Sequence, residues 1–77
     1  MGQHKVVIEL AREEALVLFD WISRFNKRED ATFEDQAERR VLWDIEAMLE
    51  STLDEPFKPD YETLLAAARG KVRDSEE

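Results

Sequence analysis

Cysteine is absent from this 77-residue chain, histidine occurs once, and glycine and proline occur twice each. Without cysteine there is no disulfide, no thiolate zinc site and no thiol nucleophile. The single histidine, His4, is not enough for a histidine-rich metal site. Gly2 and Gly70 are the only glycines, so no glycine-rich loop can surround a phosphate group. We therefore predict that the chain binds no metal and no cofactor.

Paired acid–base machinery is also missing from the sequence. Glu13–Glu14 and Glu29–Asp30 are adjacent in the chain, and neighbouring side chains on a helix diverge by about 100°. Such pairs cannot act together on one substrate. The serine and threonine hydroxyls have no histidine or lysine at a spacing that suggests a general base. We therefore expect the chain not to be an enzyme.

Positive charge is scarce, because eleven basic residues stand against nineteen acidic ones and the formal net charge is -8. This balance repels nucleic-acid phosphates and anionic membranes, and it favours a basic protein partner. The sequence also lacks an apolar run of the roughly 20 residues that span a bilayer. Its first residues are too polar to resemble a signal peptide. We expect a cytoplasmic protein that binds neither nucleic acid nor membranes.

Apolar residues are plentiful at 43% of the chain, which is enough for one hydrophobic core. We predict a single small domain over residues 1–77, with residues 1–3 and 74–77 disordered. The predicted fold class is mainly α, with one short N-terminal strand followed by three helices. The first two helices form a helical hairpin, and the C-terminal helix packs across it.

Residues 4–10 are rich in β-branched side chains and predict the short strand. Val6, Ile8 and Leu10 point to one side of such a strand. The rest of the chain looks helical, so the backbone donors and acceptors of this strand need a partner from outside the chain. We therefore predict a homodimer that self-associates through these three side chains, through the wide apolar face of the first predicted helix, or through both.

The first helix is predicted from Arg12 to about Lys27, with acidic residues in its first turn and basic residues near its end, as the helix dipole favours. Its apolar stripe is wide, because Leu16 and Trp21 flank it and Val17 lies further round. A neighbour on one side would leave much of this surface in water, so we predict two packing neighbours. The stripe consists of Ala11, Ala15, Leu18, Phe19, Ile22 and Phe25.

A second helix is predicted from Phe33 to about Asp54, with Thr32 as its N-cap. Three- and four-residue spacing of apolar side chains predicts its buried face. Leu42 and Leu53 lie at one margin of this face. The face itself consists of Ala37, Val41, Ile45, Met48, Leu49 and Thr52.

Glu55 and Pro56 end the second helix, because proline disfavours helix at the residue before it. Residues 56–59 are predicted to form an extended elbow. A third helix follows from Tyr61 to about Val72. Gly70 weakens its last turn by about 1 kcal/mol relative to alanine, so we expect fraying there.

Trp43 is the most informative single residue, because it lies opposite the predicted buried face of the second helix. An exposed tryptophan is a favoured anchor at protein interfaces. The alternative is that the elbow folds back, so that Phe57, Tyr61 or Leu65 covers the indole. The sequence alone leaves both interpretations open.

Glu46, Glu50 and Asp54 recur every four residues and line one ridge of the second helix. This acidic ridge suits a basic partner, and the alternative is a solvated surface. A carboxylate metal site in a helical bundle usually recruits histidine as well, which the predicted helices lack. The predicted partner contacts are Val17, Trp43, Glu46 and Glu50.

A basic corner is predicted near the turn between the first two helices. If the chain binds phosphate, we expect it to bind at this corner. The alternative is that these basic side chains only match the negative end of the helix dipole. The corner consists of Arg24, Lys27, Arg28, Arg39 and Arg40.

The segment Val-Val-Ile-Glu-Leu-Ala-Arg-Glu-Glu-Ala-Leu, residues 6–16, opens an order of strand, helix, helix. Over residues 4 to about 50 this order resembles the ribbon-helix-helix family. Proteins of that family dimerise through the N-terminal strand and lay the paired ribbon in the DNA major groove. The resemblance implies that Lys5, Val7 and Glu9 would face the bases, and of these Lys5 suits DNA.

A second resemblance rests on short segments spread over nearly the full length of the chain. They are Glu14-Ala-Leu-Val-Leu-Phe19, Arg24-Phe25, Ala37-Glu38, Val41-Leu-Trp43, Glu55-Pro-Phe57 and Pro59-Asp-Tyr61. These segments resemble a family of short, uncharacterised bacterial proteins. The resemblance implies a bacterial origin and carries no activity.

These observations together predict a non-enzymatic, acidic helical protein that acts by protein–protein binding. Antitoxins, immunity proteins and enzyme inhibitors act in this way. The alternative is a dimeric DNA-binding regulator of the ribbon-helix-helix type. A third hypothesis is an acidic mimic of nucleic acid that blocks a DNA-binding protein.

Overall fold

The computed structural model describes residues 4–74, and over that range the chain is mainly helical. It forms three α-helices there, α1 at Arg12–Asn26, α2 at Gln36–Thr52 and α3 at Tyr61–Asp74. A turn of 3-10 helix at Glu55–Phe57 joins α2 to α3. The predicted helical class is therefore confirmed. Among these residues, no helix is both long and apolar enough to cross a membrane.

The predicted N-terminal strand is not seen in the single chain, because residues 4–10 have no regular secondary structure. Within the described range, the backbone groups of this segment make no hydrogen bond to the rest of the chain. All seven residues are exposed, and Val6 keeps 90% of its surface in water. The reason is that strand formation needs a neighbouring strand, and the remainder of the described chain is helix and loop.

The first helix begins at Arg12 as predicted. Its start is stabilised by Glu14, whose carboxylate accepts a hydrogen bond of 2.9 Å from the backbone N–H of Ala11. The second helix begins three residues later than predicted, at Gln36. Its N-cap is Asp35, whose side chain accepts a 2.8 Å hydrogen bond from the backbone N–H of Ala37. The predicted N-cap, Thr32, lies in the preceding loop.

The elbow between α2 and α3 is a 3-10 turn rather than extended chain. Pro56 is tolerated there because it lies in the first turn of that helix, where no backbone N–H is needed. The third helix continues through Gly70 to Asp74, so the predicted fraying is absent in the described residues. Asp74 is helical, whereas the other predicted disordered residues, 1–3 and 75–77, lie outside the described range.

The first helix lies between the other two and packs against both of them, while α2 and α3 hardly contact each other. This confirms that the wide apolar stripe of α1 needs two neighbours. Six apolar side chains are buried, and no polar or charged side chain among the described residues is. The buried set is Leu16, Phe19, Ile22, Leu53, Leu65 and Ala68.

The predicted buried face of α2 is wrong in part, because Ile45 and Leu49 turn inward as predicted and other members of the face do not. Val41 and Met48 are 53% and 60% exposed, and none of the residues in α2 itself is fully buried. The side that turns inward carries Leu42, Ile45 and Leu49, which are half-buried. This side shares Ile45 and Leu49 with the predicted face and is rotated from it by about 60°, at 100° per residue. The reason is that α2 carries two overlapping apolar stripes, and α1 covers only one of them.

Polar side chains tie α1 to α3 around Asp20, whose side chain is only 15% exposed. Its Oδ1 accepts a 2.9 Å hydrogen bond from the hydroxyl of Tyr61. Its Oδ2 accepts hydrogen bonds from Arg24 at 2.8 Å and from Arg69 at 3.1 Å. Burial by itself would raise the pKa of Asp20, but the hydrogen bonds from Arg24 and Tyr61 and the nearby positive charges lower it below its ordinary value.

The same contact changes the acidity of Tyr61. Burial of its ring, followed by the hydrogen bond to the Asp20 carboxylate, raises the pKa of Tyr61 to about 12. Near the start of α1, Arg12 donates two hydrogen bonds to Glu55, at 2.6 and 3.0 Å. The hydrogen bond from Arg12 is the main reason that the pKa of Glu55 is lowered. Together these contacts hold α3 and the 3-10 turn against α1.

Candidate protein-interaction surface

A continuous row of rings and one guanidinium group runs along the end of the α1–α2 hairpin. The rings of Trp21 and Phe25 stack with centroids 5.0 Å apart. The ring of Phe33 meets Phe25 edge-on at 5.7 Å. The guanidinium of Arg39 lies 4.8 Å from the Phe33 ring and 5.6 Å from the Trp43 ring. Aromatic and cation–π contacts of this kind hold side chains in fixed positions at the surface.

The local sequence explains the row. Trp21 and Phe25 are four residues apart on α1, and Arg39 and Trp43 are four apart on α2, so each pair shares one helix face. Phe33 lies in the connecting loop and touches both pairs. This packing also explains why α2 does not begin at Phe33, because the side chain is held against the end of α1 before the helix starts.

Trp43 is 49% exposed, so the indole is not buried by the elbow. Of the three side chains that were candidates to cover it, Phe57 is itself 68% exposed. Tyr61 is turned toward Asp20, and Leu65 belongs to the core around α1. The structure therefore places a half-exposed tryptophan on α2, with Arg39 against its ring.

The other predicted partner contacts do not all lie together. Glu50 is exposed and lies seven residues from Trp43, on the same side of α2. Val17 is partly buried against the core. Glu46 is half-buried and accepts a 2.7 Å hydrogen bond from Asn26 of α1. We call Arg39, Trp43, Ala47 and Glu50 the outer ridge of α2. It brings Trp43 and Glu50 together and leaves Val17 and Glu46 turned toward their neighbours.

The predicted basic corner is largely neutralised by nearby carboxylates. Arg24 pairs with Asp20, Arg28 pairs with Asp30, and Arg40 lies 3.8 Å from Asp44. Among residues 4–74, Arg39 and Lys27 form no ion pair with a carboxylate. Arg39 is therefore held by aromatic rings and keeps its charge uncompensated. Because the guanidinium of Arg39 lies against two rings and the arginines around it are paired with carboxylates, these residues do not form an open site for phosphate.

A shallow groove of about 460 Å³ lies between the two helices of the hairpin, on the other flank of α2 from Trp43. Trp21 and Val41, which are 46% and 53% exposed, contribute to it. We call this surface the aromatic groove. Its lining consists of Trp21, Phe25, Thr32, Phe33, Glu38, Val41 and Leu42. The groove was not predicted from the sequence, although the Trp21–Phe25 spacing followed by Phe33 could have indicated an aromatic cluster at the hairpin end.

Ligand chemistry is sparse in this part of the molecule. Over the described range, no three histidine, aspartate or glutamate side chains come together in a way that could hold a metal ion. The groups that this surface exposes for contact are aromatic rings and charged side chains. No family model, no curated protein and no solved structure matches the chain, so both family resemblances stay predictions.

Proposed function

We propose that this chain is a non-enzymatic binding protein that acts on another protein through the outer ridge of α2. Its mode of action would be that of an antitoxin, an immunity protein or an inhibitor. The observation that carries the proposal is the half-exposed indole of Trp43, with the Arg39 guanidinium 5.6 Å from the centre of its ring. Tryptophan and arginine are the residue types most often responsible for binding energy at protein interfaces.

The fixed position of the indole supports the proposal energetically. A side chain that is already held loses little rotamer freedom on binding, so more of the contact energy is available for affinity. Arg39 keeps its hydrogen-bond donors free of carboxylates within the described residues. These donors would face an acidic or carbonyl group of the partner beside the indole.

The charge of the chain points to a partner that is basic over most of its contact area. With a net charge of -8, the chain attracts cationic surfaces, which speeds association and disfavours acidic competitors. Glu50 lies on the outer ridge and would meet such a surface. Rim charges of this kind mainly affect the association rate, so the rate should fall as salt increases.

Replacing Trp43 with alanine should weaken partner binding by about 30-fold, or about 2 kcal/mol, because the indole supplies the central contact. The midpoint of thermal unfolding should hardly change, since half of the side chain is in water. Proteins captured from a bacterial lysate by the wild type and by the variant are compared. A protein that only the wild type captures is then purified, and its affinity for both is measured by calorimetry.

Phe57→Ala is the matched control for this experiment. Phe57 is also an exposed aromatic residue, but it lies in the 3-10 turn away from the outer ridge. It should bind the partner as wild type does. A large drop in stability of the Trp43 variant, or equal capture by both variants, would contradict the assignment of Trp43.

A dimeric DNA-binding regulator remains the second candidate, and the free N-terminal segment favours it. Residues 4–10 precede a helical hairpin and have unpaired backbone groups, and Lys5 is exposed. Two copies of this segment could pair into a ribbon. This candidate requires duplex DNA binding that falls steeply with salt and is lost in Lys5→Ala. Our main proposal predicts no duplex binding in electrophoretic mobility assays, even at low salt.

A further inference from the structure

Besides the outer ridge and the exposed side chains of Met48 and Phe57, the described residues expose two apolar surfaces. One is the N-terminal segment of residues 4–10, which we call the arm, and the other is the aromatic groove. We propose that the arm of one copy occupies the aromatic groove of a second copy, and that the exchange is reciprocal. This inference specifies the predicted self-association and is independent of the outer ridge.

The arm has the apolar content of a segment that is normally covered. Val6, Val7 and Ile8 are 90%, 81% and 76% exposed, and Leu10 is 41% exposed. Four neighbouring aliphatic side chains left in water are unfavourable, because the burial of apolar surface is the main favourable contribution to folding and association. The groove presents the complementary surface, since five of its seven lining residues are aromatic or aliphatic. Contact between them would cover both.

The charges of the two surfaces also permit the contact. The chain carries a net charge of -8, but in the arm Lys5 and Glu9 cancel. Glu38 is the one charged side chain in the groove lining. A neutral arm therefore approaches an acidic body without net repulsion, whereas most other segments of the chain would be repelled by a second copy. Lys5 and Glu38 can attract each other at the rim.

The groove of the same chain is a poor receptor for the arm. The arm ends at the start of α1, and Trp21 lies about 15 Å further along that helix at 1.5 Å per residue. An extended chain spans at most about 3.5 Å per residue. Folding back within one chain would thus bring only the outermost arm residues to the groove and leave Ile8 and Leu10 in water. A second copy can receive the whole arm.

Two-fold symmetry makes the contact twice, because each copy provides one arm and one groove. Seven arm residues and seven groove residues from each copy are fewer than the roughly 20–30 residues per side of a standard stable interface. We therefore expect a dimer that dissociates at micromolar concentration, not a permanent one.

The test uses one variant in each surface of the full chain. Ile8→Asp places a charge in the arm, and Val41→Asp places one in the groove. Both positions are more than half exposed, so both variants should fold, which far-ultraviolet circular dichroism checks. In light scattering, wild type should move toward twice the 9.1 kDa chain mass as its concentration rises. Each variant alone should stay at 9.1 kDa.

A mixture of the two variants distinguishes a dimer in which each arm contacts a groove from a dimer in which the two arms pair. It should form a heterodimer, because the intact arm of the Val41 variant fits the intact groove of the Ile8 variant. One contact of two remains, so the heterodimer should be weaker than wild type but measurable by fluorescence anisotropy of a labelled copy. A ribbon of paired arms predicts instead that Val41→Asp stays dimeric and that mixing restores nothing. That result, or a wild type that stays monomeric up to about 500 µM, would overturn the proposal.

Tryptophan fluorescence gives a second measurement that needs no disruptive variant. Trp43→Phe leaves Trp21 as the only tryptophan, and Trp21 lines the groove. Its emission should shift to the blue as dimers form, because the arm of the second copy removes water from the indole. Dimers without this shift would also overturn the proposal. If Trp43→Ala still dimerises but no longer binds the partner, then the contact between arm and groove is independent of the outer ridge.

Discussion

Replacing Leu53 with alanine should lower the free energy of unfolding by about 3 kcal/mol, whereas replacing Met48 with alanine should change it by less than about 0.5 kcal/mol. The first loss is a large fraction of the total, because a single core in a domain of this size rarely supplies more than about 3–5 kcal/mol of net stability. The Leu53 variant should therefore be substantially unfolded at 37 °C. Urea denaturation of both variants, followed by circular dichroism, measures the difference.

The physical reason lies in the orientation of α2. Leu53 follows the last turn of the helix, is 3% exposed and packs in the core with Leu16 and Leu65. Truncation leaves a cavity there that its neighbours can fill only in part. Met48 is 60% exposed and points away from α1, so its truncation removes little packing. The opposite order of the two losses would show that α2 presents the face that its sequence pattern predicts.

Asp20→Asn should lower the free energy of unfolding by about 2 kcal/mol at neutral pH, although the two side chains have nearly the same shape. The carboxylate accepts three hydrogen bonds, from Tyr61, Arg24 and Arg69. Bonds to a charged group contribute about 1.5–3 kcal/mol, and the two arginines contribute less than a buried partner would, because both are more than 40% exposed. Asp30→Asn is the control, since its pair with Arg28 lies in water and should add almost nothing.

The stability that Asp20 supplies should decrease at acidic pH. The pKa of Asp20 is lower in the folded chain than in the unfolded chain, so the unfolded chain takes up the proton first as the pH falls. The stability supplied by Asp20 is thus fully present above about pH 4 and is lost as the pH falls through the folded pKa. The difference between wild type and Asp20→Asn should shrink over that range. A difference that stays constant down to pH 2 would show that the charge of Asp20 is not involved.

The stability that Tyr61 supplies should decrease at alkaline pH. Its pKa is raised to about 12 in the folded chain, compared with about 10 in the unfolded chain. Between these values the unfolded chain loses the hydroxyl proton while the folded chain keeps it. Stability should therefore fall between pH 10 and pH 12, and Tyr61→Phe should remove this part of the decline.

Much of the helical structure could be predicted from local pattern and end signals. The starts of α1 and α3 follow from acidic first turns, helix-ending prolines and apolar spacing, all of which act within a few residues. The start of α2 could not be placed in this way. Both Thr32 and Asp35 are good N-caps, and the choice between them depends on the contact of Phe33 with the ring of Phe25, which lies on the preceding helix.

The candidate surface was predictable in part. A helical repeat of 3.6 residues places Trp43 and Glu50 on one side of α2, and the structure keeps them there. The aromatic groove was not predictable in the same way, because it brings together Trp21, Phe33 and Val41 from α1, the loop and α2. These side chains meet only after the hairpin has closed.

The sequence by itself determined the charge, the absence of cysteine and of a second histidine, the helical class and the position of most helix ends. Each of these depends on composition or on neighbours along the chain. The tertiary structure decided which stripe of α2 faces α1 and that residues 4–10, within the described range, form no strand. It also decided that Trp43 stays half in water. These outcomes depend on which surfaces pack against each other, and the apolar residues of a helix with two stripes are compatible with more than one arrangement until a neighbour covers one of them.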